Sequence, residues 1–524
     1  MKMELVSLLI TLQAAAILAD TKPADQNPVA ASGAIAGDLK LQAGKAVYEQ
    51  HCAACHGSNG DGNGPAAVWL FPKPRNFSAG LFKIQSTPAG TLPTDDDLFQ
   101  TITRGMPGSS MPSFTYLSEQ QRRDVVQYVK HLTAETEASG KRVNRFEEAK
   151  QAGKLGSPVK VPPEPGATLE ALTQGKEMFA KFQCFTCHGE TGAGDGPSAP
   201  TLKDNWGLPL LPRDFNTGSF RGGHTGRDLY LRIHNGMAGT PMPPFGEDLM
   251  TAQERWSLVL YIQSLRRKDI EVNDILAPAE GNIHVHRVKK LPTEPSDPVW
   301  EKIESMRVPL NPLWPERDPI PAVAVHALHD GRRVAILCTW RDFIVNGAPV
   351  RVQDFQDAIA LQFSLSGATP FLGMGDARNP VNIWQWKAGW QQEADGERQD
   401  VDTIYVSLHS DVYFQTNTLH RTAEAAGNLL SQPHTSPVED ANARGFGTMK
   451  AQSISSQNVK GKGIWRDGHW NVVFIRELKS RDPDDVKILA GKPVPVAFAV
   501  WDGQNRDRNG RKVISNWYQL ILER

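Results

Sequence analysis

The sequence predicts a multidomain chain in which two small all-α domains precede a C-terminal all-β, sandwich-like domain. Three observations lead to this prediction. The chain has 524 residues, which is more than one hydrophobic core usually organises. A set of short motifs occurs twice in the first half with nearly the same spacing. From about residue 296 onward, apolar residues alternate between turn signals, as they do in strands.

The composition is that of a globular protein, with 40% hydrophobic and 22% charged residues. The formal net charge of −1 gives no support for nucleic acid or an anionic membrane surface as the main partner.

The first 20 residues resemble an export signal. Two charged residues, Lys2 and Glu4, precede an apolar stretch that ends near Ala19 among small residues. That stretch is short for a membrane span and suits the apolar region of a signal peptide. We expect a cleaved signal over residues 1–20 and export to the periplasm. An N-terminal anchor that stays uncleaved is the alternative, and it would leave the protein associated with the membrane.

Four of the five cysteines lie in two C-x-x-C-H motifs. This arrangement is typical of covalent haem c, in which two thiols form thioethers and the adjacent histidine ligates iron. The predicted attachment and iron-ligating residues are Cys52, Cys55 and His56 in the first motif and Cys184, Cys187 and His188 in the second. The fifth, Cys338, alternates with Ile336 and Trp340 and is predicted to be a buried hydrophobic residue rather than a reactive thiol.

The repeat extends over two whole domains, predicted at residues 38–134 and 168–268. Each copy closes on a helix that begins with a capping box, at Ser118 with Gln121 and at Thr251 with Glu254. A further helix is expected before each methionine loop, around Asp97–Thr103 and Asp228–His234.

Two predicted linkers, 135–167 and 269–295, are polar and contain proline. The pair His284 and His286 in the second linker is expected to be exposed rather than to bind a metal.

Each repeat also offers a second axial ligand for iron. Met111 and Met242 lie in Met-Pro turns, 55 and 54 residues after the haem histidines, where a helix cannot continue. Met106 and Met237 are alternatives, five residues earlier in each loop. Histidine and methionine together raise the potential and leave no open position for a substrate.

Two arginines recur between proline and an acid or amide, at Arg75 and Arg213. Because arginine forms bidentate bonds with carboxylates, we expect them to bind haem propionates. The alternative is an arginine at the surface.

Taken together, these motifs resemble class I cytochrome c domains, from about Leu41 to Leu132 and from about Leu172 to Leu265.

The C-terminal region, residues 296–524, resembles the haem-b domain of the ethylbenzene dehydrogenase gamma subunit. That family includes gamma subunits of dimethyl sulfide, selenate and chlorate enzymes and of nitrite oxidoreductases. The segments that carry the resemblance are Asp297–Trp300, Trp340–Asp342, Phe355–Phe363, Phe371–Asp376, Val381–Lys387 and Gly463–Trp465 through Arg476.

The resemblance implies a third, non-covalent haem b held by one methionine and one lysine. We expect the methionine to be Met374, in a Gly-Met-Gly turn, and the lysine to be Lys462, with Lys460 as its competitor. Four histidines could instead supply an ordinary bis-histidine site; these are His326, His409, His420 and His469.

The resemblance further implies a respiratory electron-transfer subunit that is not itself an enzyme and binds no substrate directly. Its expected partners are the iron–sulfur and molybdopterin subunits of an oxidoreductase of the dimethyl sulfoxide reductase superfamily, for example one similar to nitrite oxidoreductase. A soluble or membrane cytochrome is the other expected partner. One alternative is a free-standing periplasmic carrier or sensor. Another is a di-haem peroxidase, which the two closed Met-Pro loops argue against.

Overall fold

The structure is a computed structural model that describes residues 28–136, 140, 142–268, 281–316, 318–399, 401–405, 407 and 434–524. The expected export signal, residues 1–20, lies outside this range, as do His409 and His420.

Two helical units come first, and among the described residues each is built around four corresponding helices. In the first unit these are α1 (Pro28–His51), α2 (Ala53–His56), α3 (Asp95–Arg104) and α4 (Glu119–Leu132). In the second they are α6 (Leu169–Lys181), α7 (Phe185–His188), α8 (Gly226–Asn235) and α9 (Ala252–Ser264). The helices predicted before the methionine loops are therefore present in both units, one or two residues longer at each end.

The long helices of each unit cross at a glycine. A Cβ on Gly44 would clash with the backbone of Asp124, and one on Gly175 would clash with the backbone of Ser257. The repeated glycine thus lets α1 approach α4 and lets α6 approach α9. The predicted capping boxes are confirmed at Ser118 and Thr251, since the N-cap and N3 residues bond reciprocally in both helices.

The region predicted as the first linker carries structure. A short hairpin pairs β1 (Ala134–Thr136) with β2 (Arg142–Asn144), and helix α5 (Arg145–Gln151) follows. The ring of Phe146 is buried in the core of the first unit. The first unit therefore extends beyond residue 134, because an aromatic side chain after the predicted boundary completes its core.

The C-terminal domain is built on one large mixed sheet that carries two short helices, α10 (Ala388–Ala394) and α11 (Val401–Ile404). Its strands are β3 (Asn282–Arg287), β4 (Met306–Pro309), β5 (Asn311–Pro312), β6 (Ala322–His329), β7 (Arg333–Arg341), β8 (Ala358–Ser364), β9 (Val381–Lys387), β10 (Val438–Ala443), β11 (Lys450–Ala451), β12 (Lys460–Arg466), β13 (His469–Glu477), β14 (Val494–Trp501), β15 (Val513–Ile514) and β16 (Tyr518–Leu522).

The main strand order is β11-β10-β9-β8-β14-β16-β3-β6-β7-β13-β12. Strand β3 lies parallel to both of its neighbours, β16 and β6. It belongs to the stretch 269–295 that was predicted to be a linker. The prediction was wrong there because a six-residue polar strand with buried residues only at Ile283 and Val285 gives a weak alternation signal.

The sheet folds over on itself to form a sandwich. The indole of Trp386 on β9 lies 6.2 Å from that of Trp340 on β7 and 4.8 Å from that of Trp470 on β13, although these strands are not neighbours in the sheet. The layers therefore meet face to face around one apolar core, which also contains Cys338. Cys338 is fully buried, as predicted, and burial raises the pKa of its thiol.

The predicted hairpins are also present. Asp330 and Gly331 connect β6 to β7, and Asp467 and Gly468 connect β12 to β13. Among the described residues, no helix is both long and apolar enough to cross a bilayer.

Candidate haem sites

The first C-x-x-C-H motif forms the single helical turn of α2 together with the residue before it. Cys52 is the residue before the helix and His56 is its last residue. The Nδ1 atom of His56 lies 3.0 Å from the carbonyl oxygen of Arg75, and its ring stacks on Phe77 at 4.6 Å. The hydrogen bond from Nδ1–H leaves Nε2 as the atom that can ligate iron.

The second motif repeats this geometry on α7. The Nδ1 atom of His188 lies 3.2 Å from the carbonyl oxygen of Arg213, and its ring stacks on Phe215 at 4.4 Å. Both histidines are thus fixed by the same two contacts, which is the arrangement that an axial ligand needs.

The cysteines of the first motif are poor candidates for thiol redox chemistry. Burial raises the pKa of both Cys52 and Cys55 to about 12. A reactive dithiol requires a lowered pKa instead. The surroundings therefore agree with thioether attachment.

The methionine loops have the same form in both units. The N–H of Met106 donates to the carbonyl of Met111, and that of Met237 donates to the carbonyl of Met242. In the first unit, Met111 and Met106 both line a cavity of about 150 Å³ that His56 and the two cysteines also line. The cavity therefore brings the predicted ligands together and leaves the choice between the two methionines open.

The cavity carries positive charge without a carboxylate. Its charged side chains are Lys73, Arg75, Lys83 and Arg221, and no aspartate or glutamate lines it. Both terminal nitrogens of Arg75 are buried without a hydrogen-bond partner among the described residues. An anionic group such as a haem propionate would satisfy them. In the second unit, by contrast, Arg213 bonds to the carbonyl oxygens of Ser219 and Gly108 and to the hydroxyl of Thr217.

In the C-terminal domain, Met374 occupies a strained turn. Its φ of 70° lies in the left-handed region, which a residue other than glycine rarely adopts. Its side chain packs on the outer face of the layer formed by β8, β9 and β14, a face that includes Ala360, Trp501 and Trp517. The turn therefore presents methionine to an apolar surface outside the central core.

Lys462 lies on the opposite outer face of the sandwich. It pairs in register with Val473, which belongs to the apolar cluster on the outside of the other layer. Its Nζ forms an ion pair of 2.7 Å with Glu294, and its side chain is 41% exposed. The structure therefore does not bring Met374 and Lys462 together. Lys460, the competing residue, has the same strand parity and is exposed.

A different lysine shares the face of Met374. Lys512 directly precedes β15, and its Nζ lies 4.6 Å from the ring centroid of Trp501. Burial lowers its pKa to about 8. It forms no ion pair within the described part of the chain. A lysine binds iron only when neutral, and burial favours the neutral form. Lys512 and Met374 are thus the donors that could hold a haem on this face.

The sequence contained a usable signal for Lys512. Lys512 stands one residue before β15 and has the same parity as Ile514, so a charged residue occupies an apolar position of the pattern. The alternative histidines are less suited. His469 is exposed, and His326 lies on strand β6 beside Trp300, within the other layer.

The apolar face of Met374 continues into the first helical unit. A small apolar cluster consists of Ala66, Leu70 and Leu313. Four more side chains pack against it, one from the first motif and three from the C-terminal region: Cys55, Trp314, Phe446 and Ile514. Phe371 and Leu372, just before Met374, line the cavity at His56. The face that carries Met374 and Lys512, which we call the third site, is therefore contiguous with the first C-x-x-C-H site.

Comparison with known proteins identifies three regions. Residues 297–513 match the family model described as ethylbenzene dehydrogenase. Residues 41–133 match the model described as cytochrome c, and residues 170–262 match that of cytochrome c oxidase, cbb3-type, subunit III.

Several known proteins are similar to parts of this chain. The chlorate reductase gamma subunit of Ideonella dechloratans is 25% identical over 234 residues, which are 43% of this chain and 78% of the relative. The dimethylsulfide dehydrogenase gamma subunit of Rhodovulum sulfidophilum is 26% identical over 250 residues, 44% of this chain and 74% of the relative. A chain of the reducing HAO-like protein complex of Kuenenia stuttgartiensis is 39% identical, with a TM-score of 0.39, and the match covers 43% of this chain and 96% of that one.

The cofactors follow from these domains and from the two motifs. They are two covalent haems c, attached through the C-x-x-C-H motifs, and one haem b in the C-terminal domain.

Proposed function

We propose that this chain is an electron relay. It consists of two cytochrome c domains followed by an ethylbenzene dehydrogenase-type haem-b domain. In the relay, haem b exchanges electrons with the first haem c, and the first haem c exchanges them with the second. The chain is an electron-transfer subunit rather than an enzyme, as its gamma-subunit relatives are.

The contact between the third site and the first motif carries this proposal. Cys55, Phe446 and Ile514 pack around one small apolar cluster. A porphyrin bound at Met374 would therefore have its nearest neighbour in the first cytochrome unit. No comparable contact joins Met374 to the second motif within the described residues.

The second step of the relay is supported by contacts between the two helical units. Arg232 on α8 donates to the carbonyl oxygens of Lys83 and Gln85 in the first unit, at 3.0 Å and 2.5 Å. These bonds hold the two cytochrome units directly against each other. The order b, first c, second c is thus the arrangement that the packing favours.

The proposed ligand sets are closed at all three irons. They are His56 with Met111, His188 with Met242, and Met374 with Lys512, while Arg75, whose terminal nitrogens have no partner among the described residues, binds a propionate. Bound haem supplies one-electron transfer, and six ligands exclude a substrate from the iron. The protein side chains hold each ring and keep water away from it.

The surroundings of the relay are also part of the proposal. Since the relatives are gamma subunits of reductase and dehydrogenase complexes, the haem-b domain would face the iron–sulfur subunit of a molybdopterin oxidoreductase. The second c domain would then exchange electrons with a respiratory cytochrome. Cytochrome c domains are typical of exported proteins, and we place the chain in the periplasm.

A pyridine haemochrome assay on the purified full-length protein tests the relay. The expected content is two haems c for each haem b. A ratio of two to zero would overturn the three-haem relay. Purification from the native host with molybdenum and iron analysis tests the partner. Co-elution with molybdenum supports a subunit, whereas elution alone would favour a free-standing carrier.

A further inference from the structure

The first haem cavity is completed by a residue of the second cytochrome unit. Arg221 follows a short 3-10 helix of that unit, Phe215–Thr217, yet it lines the cavity that contains His56 and Met111. Its guanidinium Nε is buried and has no hydrogen-bond partner among the described residues. A buried donor without a partner costs free energy unless a ligand satisfies it.

Of the four cations that line this cavity, three form a cluster that comes from both units, while Nζ of the fourth, Lys73, bonds to the carbonyl oxygens of Ala67 and Val68. Arg75 and Lys83 come from the first unit and Arg221 from the second. Burial lowers the pKa of Lys83 to about 7, with further lowering by the positive charges of Arg75 and Arg221, so the three groups are close enough to repel one another. Such a cluster is unfavourable without an anion.

Nearby carboxylates do not neutralise the cluster. The lining of the cavity contains no aspartate or glutamate. Asp204 is near enough to favour the charged forms of Arg75 and Lys83, but it is one anion for three cations. A porphyrin with two propionates would supply the missing negative charge at this edge.

The internal repeat gives an independent reason to consider Arg221. It stands six residues after Phe215, as Lys83 stands six residues after Phe77, so both units carry a cation at the same position. At this position the repeat keeps a positive charge while changing its side chain. That pattern supports anion binding at this position, and the lining of the cavity at His56 is what assigns Arg221 to the first haem.

We propose that Arg221 of the second cytochrome unit binds a propionate of the haem in the first unit, so that the first haem site is assembled across the interface between the two units. This inference deepens the proposed relay and rests on it. The contact ties the first haem to the position of the second unit, and it adds a positive charge that favours the reduced iron.

The test is a spectroelectrochemical titration of full-length Arg221→Gln. We expect one of the two c-type transitions to move to lower potential, with the equilibrium constant for its reduction falling about tenfold, the effect of losing one charge-assisted hydrogen bond. To identify the haem concerned, the same titration is made on Met111→His, which replaces the proposed ligand of the first haem. The transition that moves in Arg221→Gln should be the one whose potential Met111→His lowers. Arg221→Lys should move it less, since the charge is kept.

Arg227→Gln is the matched control, because Arg227 is an exposed arginine of the same unit that does not line the cavity. If Arg221→Gln fails to fold, Arg221→Met retains the length of the side chain and tests the same prediction. Equal potentials in the Arg221 and Arg227 variants, with both c haems present, would overturn the cross-unit contact and leave the relay standing. Absence of haem c in the wild-type protein would overturn the relay itself.

Discussion

The guanidinium of Arg75 in the first cytochrome unit lies over the indole of Trp206 in the second, with Cζ 4.6 Å from the ring centroid. A Cβ on Gly239, in the methionine loop of the second unit, would clash with the same guanidinium. Arg213 of the second unit reaches back in the same manner to the carbonyl of Gly108, at 3.4 Å in the methionine loop of the first. The two units therefore contact each other reciprocally, through the repeated arginine of one and the loop of the other.

Trp206→Ala should weaken this interface. A partly exposed cation–π contact contributes about 1 kcal/mol, so the free energy of unfolding should fall by roughly that amount. Trp206→Phe keeps an aromatic face and should lose less. Urea denaturation followed by circular dichroism at 222 nm measures both. Equal losses for the two variants would contradict a contribution from the cation–π contact, since phenylalanine keeps an aromatic face.

Met111→His should lower the potential of the first haem c. Replacing a thioether by an imidazole removes the ligand that favours ferrous iron, and axial ligands shift haem potentials on the order of 0.1 V or more. Redox titration of the c-type absorbance should show one of the two transitions displaced downward. Met106→Leu is the control and should leave both transitions in place. A displacement with Met106→Leu and none with Met111→His would instead assign Met106 as the ligand.

Lys512→Ala should remove or destabilise haem b while both haems c remain, because it deletes a ligand of that haem alone. Lys462→Ala should retain all three haems, since Lys462 is half-exposed and paired with Glu294 on the other face. The haemochrome ratio of the purified variants measures the outcome. Loss of haem b in the Lys462 variant, with full content in the Lys512 variant, would restore the ligand expected from the sequence.

Stability of the C-terminal domain should fall as the pH rises. Asp342, Asp357 and Asp502 have carboxylate oxygens within 4.8 Å of one another. Burial, with repulsion between the neighbouring carboxylates, raises the pKa of Asp342 to about 6 and that of Asp357 to about 8. The folded state therefore favours their protonated forms. Their contribution to stability is complete below about pH 4, the unfolded value, and is lost as the pH rises to about 8.

Asp342→Asn tests this cluster. Its Oδ1 accepts a hydrogen bond from the N–H of Ile344, which asparagine can keep, while the charge is removed. We expect the variant to gain about 1 kcal/mol at pH 8 and to show a flatter dependence on pH than the wild type. Denaturant midpoints at several pH values measure this. Asp484→Asn, an exposed carboxylate in the same domain, should change neither quantity.

The attachment motifs of the haems c could be read from the sequence because their chemistry is local. Cys52, Cys55 and His56 must lie on one helical turn to meet one porphyrin, so their spacing alone identifies them. The Met-Pro loops were detectable because the repeat aligns them. The capping boxes and the β-hairpins were likewise predictable from signals a few residues apart.

The proposed haem-b lysine, Lys512, was not selected from the sequence, because its one local signal, a lysine among apolar residues, does not show which face of the sandwich it occupies. Met374 and Lys512 are brought to one face only by the order of the strands, and strand parity cannot tell which outer face of a sandwich a lysine occupies. Lys462 was preferred because it precedes a strongly patterned strand, yet that strand belongs to the other layer. The role of Arg221 depends in the same way on how two domains pack.

Strand β3 determines where this protein can be divided. Residues 282–287 lie between β16 and β6, in the middle of the sheet, although they precede the region that matches the haem-b family model. A fragment that begins at residue 296 would lack a central strand and would expose two unpaired strand edges, which promote aggregation. Expression of the haem-b domain alone should therefore start before Asn282, and the connection between the second cytochrome domain and the haem-b domain is correspondingly short.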